Sequence, residues 1–199
     1  MTEPGNTRGT AYGDDDAGAG STPWALRATA DPDTFRAAMG RVTGSVTVVT
    51  TRHENRPWGM TVSAFSSVCL EPPTVLVCVN QNSVTAEGIH RDSRFGVNLL
   101  SQDQVPVSQL CSRLGAVKFI EDHVVDDTDL PAEVDSPVLR DSLVTFDCEV
   151  AEVRPVGSHL VVLGQVRAIL APRSRRPLLF GQGTYQKGAH IAAMTEAVA

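Results

Sequence analysis

The sequence predicts a mainly β protein, an antiparallel barrel with a few peripheral helices. Three observations carry that expectation. Segments with period-2 alternation and β-branched residues far outnumber segments with helical periodicity. "SLVTFDCEVAEVRPVGSHLVVLGQVRAILA" reads as two long strands joined by "RPVGS", the clearest hairpin in the chain. Strands and helices nowhere alternate in the β-α-β manner that builds a parallel sheet.

The elements follow in order. Residues 1–23 hold almost no large aliphatic side chains and cannot bury enough surface to offset their ordering entropy, so a disordered leader is expected before one domain over 24–199. "DPDTFRAAMGRV" starts a helix: Asp31 caps it, Pro32 takes the first helical position, and Phe35, Ala38 and Met39 supply an apolar face. "VTGSVTVVTTR" is β-branched and ends in the loop "HENRP". "GMTVSAFSSVCL" continues as a second strand, "EPP" breaks it, and "TVLVCVN" is a third strand expected to be buried on both faces. "SVTAEGIHRD" is helical, "RFGVNLL" a strand, and "QDQVPVSQLCSRLG" a helix with Pro106 near its start. "EDHVVDDTDLPAEVDSP" is an acidic surface loop; after the long hairpin, "PLLFG" adds a short strand and "GAHIAAMTEAVA" a terminal helix.

Composition excludes several classes of function. The 199 residues are 42% apolar and 20% charged, an ordinary globular balance, with a net charge of -6. No Lys/Arg cluster is interleaved with aromatics, so no nucleic-acid partner is expected. No apolar run approaches the length of a membrane span, and the polar, acidic start is not an export signal, so a cytoplasmic protein is expected. Cys69, Cys78, Cys111 and Cys148 are scattered and read as buried, reduced core residues. The five histidines never approach one another at metal-ligand spacing.

The catalytic motifs are mostly absent. No G-x-G-x-x-G follows a strand and opens a helix, and "GQGTYQKG" near the carboxyl end has no following strand and ribose acid. There is no phosphate loop and no serine in a nucleophile elbow, and paired carboxylates occur only in loops. That leaves chemistry needing no titrating side chain, such as hydride transfer between nicotinamide and flavin, where the bound molecules carry the reactive atoms. "RPWGMTVSAFSSVCLEPPTVLVCV" fits it. Its Thr61, Ser63, Ser66 and Ser67 either satisfy a tight turn or line a neutral pocket for a flat, hydrogen-bonding ring. "NQNSVT" then opens a helix whose amino end, with Ser83 and Thr85, suits a phosphate; Ser83 also reads as a simple N-cap.

Five motifs in order resemble the short-chain flavin reductase family, the reductase partners of two-component flavin-dependent monooxygenases. They are "FRAAMGRVTGSVTVVTT", "GMTVSAFSSVCLEPPTVLVCVNQNSVT", "FGVNLLSQDQ", "GSHLVVLGQV" and "PLLFGQGTY", together running from about Phe35 to Tyr185. The resemblance implies a six-stranded Greek-key split β-barrel of the FMN-binding type, working as a homodimer with flavin sites near the subunit interface. It implies an NAD(P)H-dependent flavin reductase. Such an enzyme takes FAD or FMN as an exchangeable substrate and NADH or NADPH as donor, and passes reduced flavin to a separate oxygenase or halogenase.

Carried onto matching positions, Thr61, Val62, Ser63 and Ala64 face the flavin ring with Ser67 close by. Thr43, Gly44 and Ser45 approach its edge, and Asn80, Gln81, Ser83 and Thr85 hold ribityl and phosphate. His159 sits near the nicotinamide in a positional role. The family commonly has Gly-Asp-His where this chain has Gly157, Ser158 and His159, so an aspartate partner for the histidine is missing. Phe180, Gln182 and Gln81 also stand where the family often has other residues, including basic ones. The rival readings are a flavin-binding electron carrier that uses no nicotinamide, a pyridoxamine-phosphate oxidase type, and a ligand-free structural dimer. The second would need basic residues for another phosphate, and only Lys118, Lys187 and scattered arginines are available.

Overall fold

The computed structural model describes residues 31–172 and 175–188. The expected leader and the helix expected after Gly188 lie outside them. Helix α1 (Pro32–Met39) begins as its sequence dictates: the Asp31 carboxylate accepts the backbone N–H groups of Asp33 and Thr34 at 3.1 and 3.0 Å. None of its residues is buried, so the apolar face exists but nothing among the described residues covers it.

The first expected strand is two strands, β1 (Gly44–Ser45) and β2 (Thr47–His53). Val46 sits where the chain changes sheets, donating to Leu178 and accepting from Leu100. The second expected strand also divides, into β3 (Arg56–Val62) and β4 (Phe65–Leu70), and β5 (Pro73–Asn80) follows a turn with a cis Glu71–Pro72 bond. Next come α2 (Val84–Asp92), β6 (Arg94–Leu99), α3 (Val105–Ser112), β7 (Val144–Val156), β8 (His159–Leu170), β9 (Leu178–Gly181) and β10 (Thr184–Lys187). Strand β10 was not anticipated. Gln182 and Gly183, at φ of 53° and 74°, form the tight turn that folds it back onto β9. The acidic stretch is a loop carrying two short 3-10 turns, Glu121–His123 and Asp127–Asp129.

Seven strands form one antiparallel sheet in the order β3-β2-β6-β7-β8-β5-β4, and β1-β9-β10 form a second. The edges of the large sheet, β3 and β4, are consecutive in the chain and joined by residues 63–64 alone. Three Cα steps reach about 11 Å at most, so the end of β3 and the start of β4 must lie close together, which curls the sheet. The large sheet therefore has seven strands rather than the expected six, because one predicted strand supplies both edges.

The pleat of β2 divides the core. Val49 points into the roll with Val77, Val79, Phe95, Val97 and Val162, and α2 adds Ala86 and Ile89. Val48 points the other way, into a second core with Val107, Cys111, Ile120, Leu139 and Leu178. Strand β5 is not buried on both faces as expected. Val75, Val77 and Val79 are buried, while Thr74, Leu76 and Cys78 between them are only half-buried. Burial pushes the Cys111 and Cys148 thiols up to about 12, as core cysteines require, but Cys69 is exposed on β4 and corrects the reading of all four as core.

Candidate functional site

The link between β3 and β4 is where hydroxyl-rich sequence meets free strand edges. Residues 118–120 bridge the outer side of β3 at Pro57–Gly59, but beyond Gly59 and along the outer side of β4 no ladder partner follows among the described residues, so backbone groups there are open to a ligand. The hydroxyls divide between the two roles the sequence allowed. Thr61 donates to the Ser108 carbonyl at 2.8 Å, and Ser66 donates to the Ser67 carbonyl at 3.0 Å. Val62 is a core residue, 8% exposed, and presents backbone only. Ser63 and Ser67 are exposed, Ala64 is half-buried, and among the described residues neither of these two serine hydroxyls has a protein partner.

Thr43, Gly44 and Ser45 are exposed at the mouth of the small sheet, with Gly44 opposite Phe180 and Ser45 opposite Leu179. Gly181 permits this approach: a Cβ there would lie 2.2 Å from Thr43 Oγ1 and 2.9 Å from Thr43 Cα. Behind the mouth, the Tyr185 hydroxyl meets Ser108 Oγ at 3.0 Å, and its ring stands edge-on to Phe180, centroids 5.2 Å apart. Ser108, Tyr185 and Phe180 thus connect Thr61 on one sheet with Gly44 on the other. Sequence reasoning did not single out Ser108 or Tyr185.

The third group lies at the end of β5. Ala64 accepts from the backbone N–H of Cys78, and Asn80 is two residues, about 7 Å, further along. Asn80 folds the chain into α2: its Oδ1 accepts from Asn82 at 2.9 Å and its carbonyl accepts the Ser83 hydroxyl at 2.6 Å. Ser83 is the N-cap, accepting from Ala86 at 3.1 Å. Thr85 corrects the expectation. The whole residue is 0% exposed and its hydroxyl is turned inward without a partner, so its side chain is not offered to a ligand.

His159 faces Asn80 across the β5–β8 ladder, and the Gln81 N–H donates to the Ser158 carbonyl at 3.1 Å. Its ring is exposed, with Nδ1 2.9 Å from Ser158 Oγ, so a hydroxyl takes the place of the missing carboxylate. A hydroxyl can donate to a bare Nδ1 or accept from a protonated one.

The three groups are continuous through the Thr61–Ser108–Tyr185 contacts and the Ala64–Cys78 bond, and they carry neutral donors and acceptors with no carboxylate among them. The amino end of α2 adds partial positive charge. Such a rim fits a flat ring with hydrogen-bonding edges and a phosphate-bearing tail. No cluster of three or more metal-binding side chains occurs among the described residues. A cavity of about 250 Å³ lies elsewhere, walled by Asp103, Gln104, Asp122, His123, Arg140 and Asp141, and shares no residue with the rim.

Comparison with known proteins agrees with this geometry. Residues 39–189 match the flavin reductase like domain. The chain is 36% identical over 162 residues to the flavin-dependent monooxygenase reductase subunit HsaB of Mycobacterium tuberculosis, covering 80% of this chain and 84% of that one. It is 33% identical over 161 residues to the NADH-dependent flavin reductase StyB of Pseudomonas fluorescens, covering 78% and 89%. Among solved structures it resembles the Streptomyces globisporus NADH:FAD oxidoreductase SgcE6 in complex with NAD and FAD fragments. That match has a TM-score of 0.72, 27% identity, and coverage of 81% of this chain and 95% of that one.

Proposed function

Because the chain belongs to the flavin reductase like family, we infer that it is an NAD(P)H:flavin oxidoreductase, the reductase component of a two-component system. When bound, the nicotinamide and the flavin supply the hydride chemistry, C4 to N5, giving oxidised coenzyme and a reduced flavin that leaves for a separate oxygenase or halogenase. The protein's work is alignment. The backbone of Ser63 and Ala64 and the Ser63 hydroxyl face the ring, with Ser67 beside them, while Thr61 and Val62 hold that segment in place. Thr43, Gly44 and Ser45 close on the ring edge. Asn80, Gln81, Ser83 and the backbone of Thr85 hold ribityl and phosphate at the amino end of α2. His159, across the ladder from Asn80, orients the nicotinamide.

The observation that carries this reading is the match over residues 39–189, which spans all three parts of an uncharged rim. Under anaerobic conditions the flavin absorbance should bleach on mixing FAD or FMN with enzyme and NADH or NADPH. An electron carrier that bound flavin without using nicotinamide would leave the absorbance unchanged with both donors.

A homodimer completes the proposal. Val68 and Leu70, at the end of the edge strand β4, are 50% and 86% exposed, and Leu76, Cys78, Val161 and Leu163 on the outer face of β5 and β8 are only half-buried. An apolar face of this kind fits a second copy better than water. Sedimentation equilibrium should give twice the chain mass; a monomer at micromolar concentration would contradict it. No helix among the described residues is long and apolar enough to cross a membrane.

A further inference from the structure

We propose that Tyr185 is a positioning residue for the flavin-facing segment, acting through Ser108; this rests on the flavin reductase reading. Strand β10 pairs with β9 alone, so its place depends on contacts beyond the small sheet. Among the described residues, the Tyr185–Ser108 bond is the side-chain hydrogen bond that ties β10 to an element other than β9. Ser108 is fully buried on α3, and the phenol is the partner of its hydroxyl. The carbonyl of the same residue receives the Thr61 hydroxyl, two residues before the sheet edges meet. On its other side the Tyr185 ring bears on Phe180, the ladder partner of Gly44.

One side chain therefore adds a second link, beside the Thr47–Val62 ladder pair, between the two strips that close on the ring, residues 43–45 and 61–64. Removing the phenolic oxygen leaves Ser108 Oγ buried without its partner, and a buried hydroxyl in that position turns to another acceptor. Serine 108 then shifts, its carbonyl shifts with it, and Thr61 loses its fixed anchor. The tail-binding residues at the start of α2 and His159 have no contact with this chain of bonds and keep their places.

The test is Y185F, which deletes the hydroxyl alone, read by flavin fluorescence titration and steady-state kinetics with whichever flavin the wild type reduces. The flavin Kd and KM should rise about three- to tenfold, with kcat and the NADH KM within twofold of wild type. Ser108→Ala should raise the flavin Kd by a similar factor. The double variant should be no worse than the weaker single one, because both substitutions break the same link. An unchanged flavin Kd in Y185F overturns the proposal, and so do single effects that multiply in the double variant. An equal rise in flavin and NADH KM would also overturn it, since a general loosening moves both. A wild type that reduces no flavin defeats the underlying reading instead, and that result is visible before any variant is made.

Discussion

Replacing His159 by alanine should lower kcat/KM for NADH by about tenfold to a hundredfold, while the flavin Kd stays within twofold. The asymmetry follows from where the ring sits. His159 opens β8 at the far end of the β5–β8 ladder, opposite Asn80 and past the point where Ala64 meets Cys78. In the proposed arrangement the flavin ring lies against the segment before that point and only its tail comes near Asn80, so the imidazole is assigned to the nicotinamide. Its orientation is set locally: Gly157, at a φ of 57°, turns the hairpin, and Ser158 Oγ holds Nδ1 at 2.9 Å. A misplaced nicotinamide ring loses the close approach that hydride transfer requires, and the loss appears in the rate with donor rather than in flavin binding. Equal kcat/KM for wild type and His159→Ala would remove the histidine from the account and favour the flavin-carrier reading.

The largest loss of stability is expected from Asp147→Ala, about 3 kcal/mol in urea unfolding. Asp147 is 0% exposed near the start of β7. Its carboxylate pairs with the Arg94 guanidinium and accepts both the hydroxyl and the backbone N–H of Ser136, the latter at 3.0 Å. These bonds fasten the acidic loop to the barrel. Alanine leaves both Ser136 donors unpaired and the Arg94 guanidinium with only the exposed Asp135 carboxylate, at 3.1 Å, as a charge partner, which costs more than the intact bonds contribute. Asp147→Asn keeps an acceptor for Ser136 but not the charge, so it should fall between the two. A loss below about 1 kcal/mol for the alanine variant would show that water replaces the carboxylate freely.

Period-2 patterning of β-branched residues revealed most strands, and their antiparallel pairing followed from the long hairpin. It failed where a pattern runs on through a change of sheet. No Gly, Pro, Asn or Asp in "TVSAFSS" marks two edges joined at residues 63–64, and the consecutive apolar Ala64 and Phe65 are the one break in the alternation at the join. Val46 hides a similar change, since it is apolar and β-branched like its neighbours but bonds to both sheets. The apolar run of β5 was read as doubly buried; one face meets the core and the other is the outer face of the sheet. Strand β10 did have a signal: Gln182–Gly183 is a two-residue turn with both φ angles positive, and "GQG" was weighed as a nucleotide loop instead.

The site was less legible than the fold. Ordered motifs pick out three stretches, and the structure joins them through a few bonds. Individual side chains inside those stretches were harder to place. Thr85 lies in the first turn of α2, yet the helix turns it toward the core. The hydroxyl of Thr61 serves α3, which makes it an anchor for its neighbours. Tyr185 and Ser108 are 77 residues apart and no local pattern relates them. Such contacts are consequences of the rolled sheet and become visible only with it.

The most direct measurement is a crystal structure of the protein soaked with FAD or FMN. The account predicts the isoalloxazine ring against residues 63–64 and 44–45, with phosphate at the amino end of α2 beside Ser83. Flavin bound instead in the cavity between Asp103 and Arg140, or a mouth closed by its own strands, would contradict it.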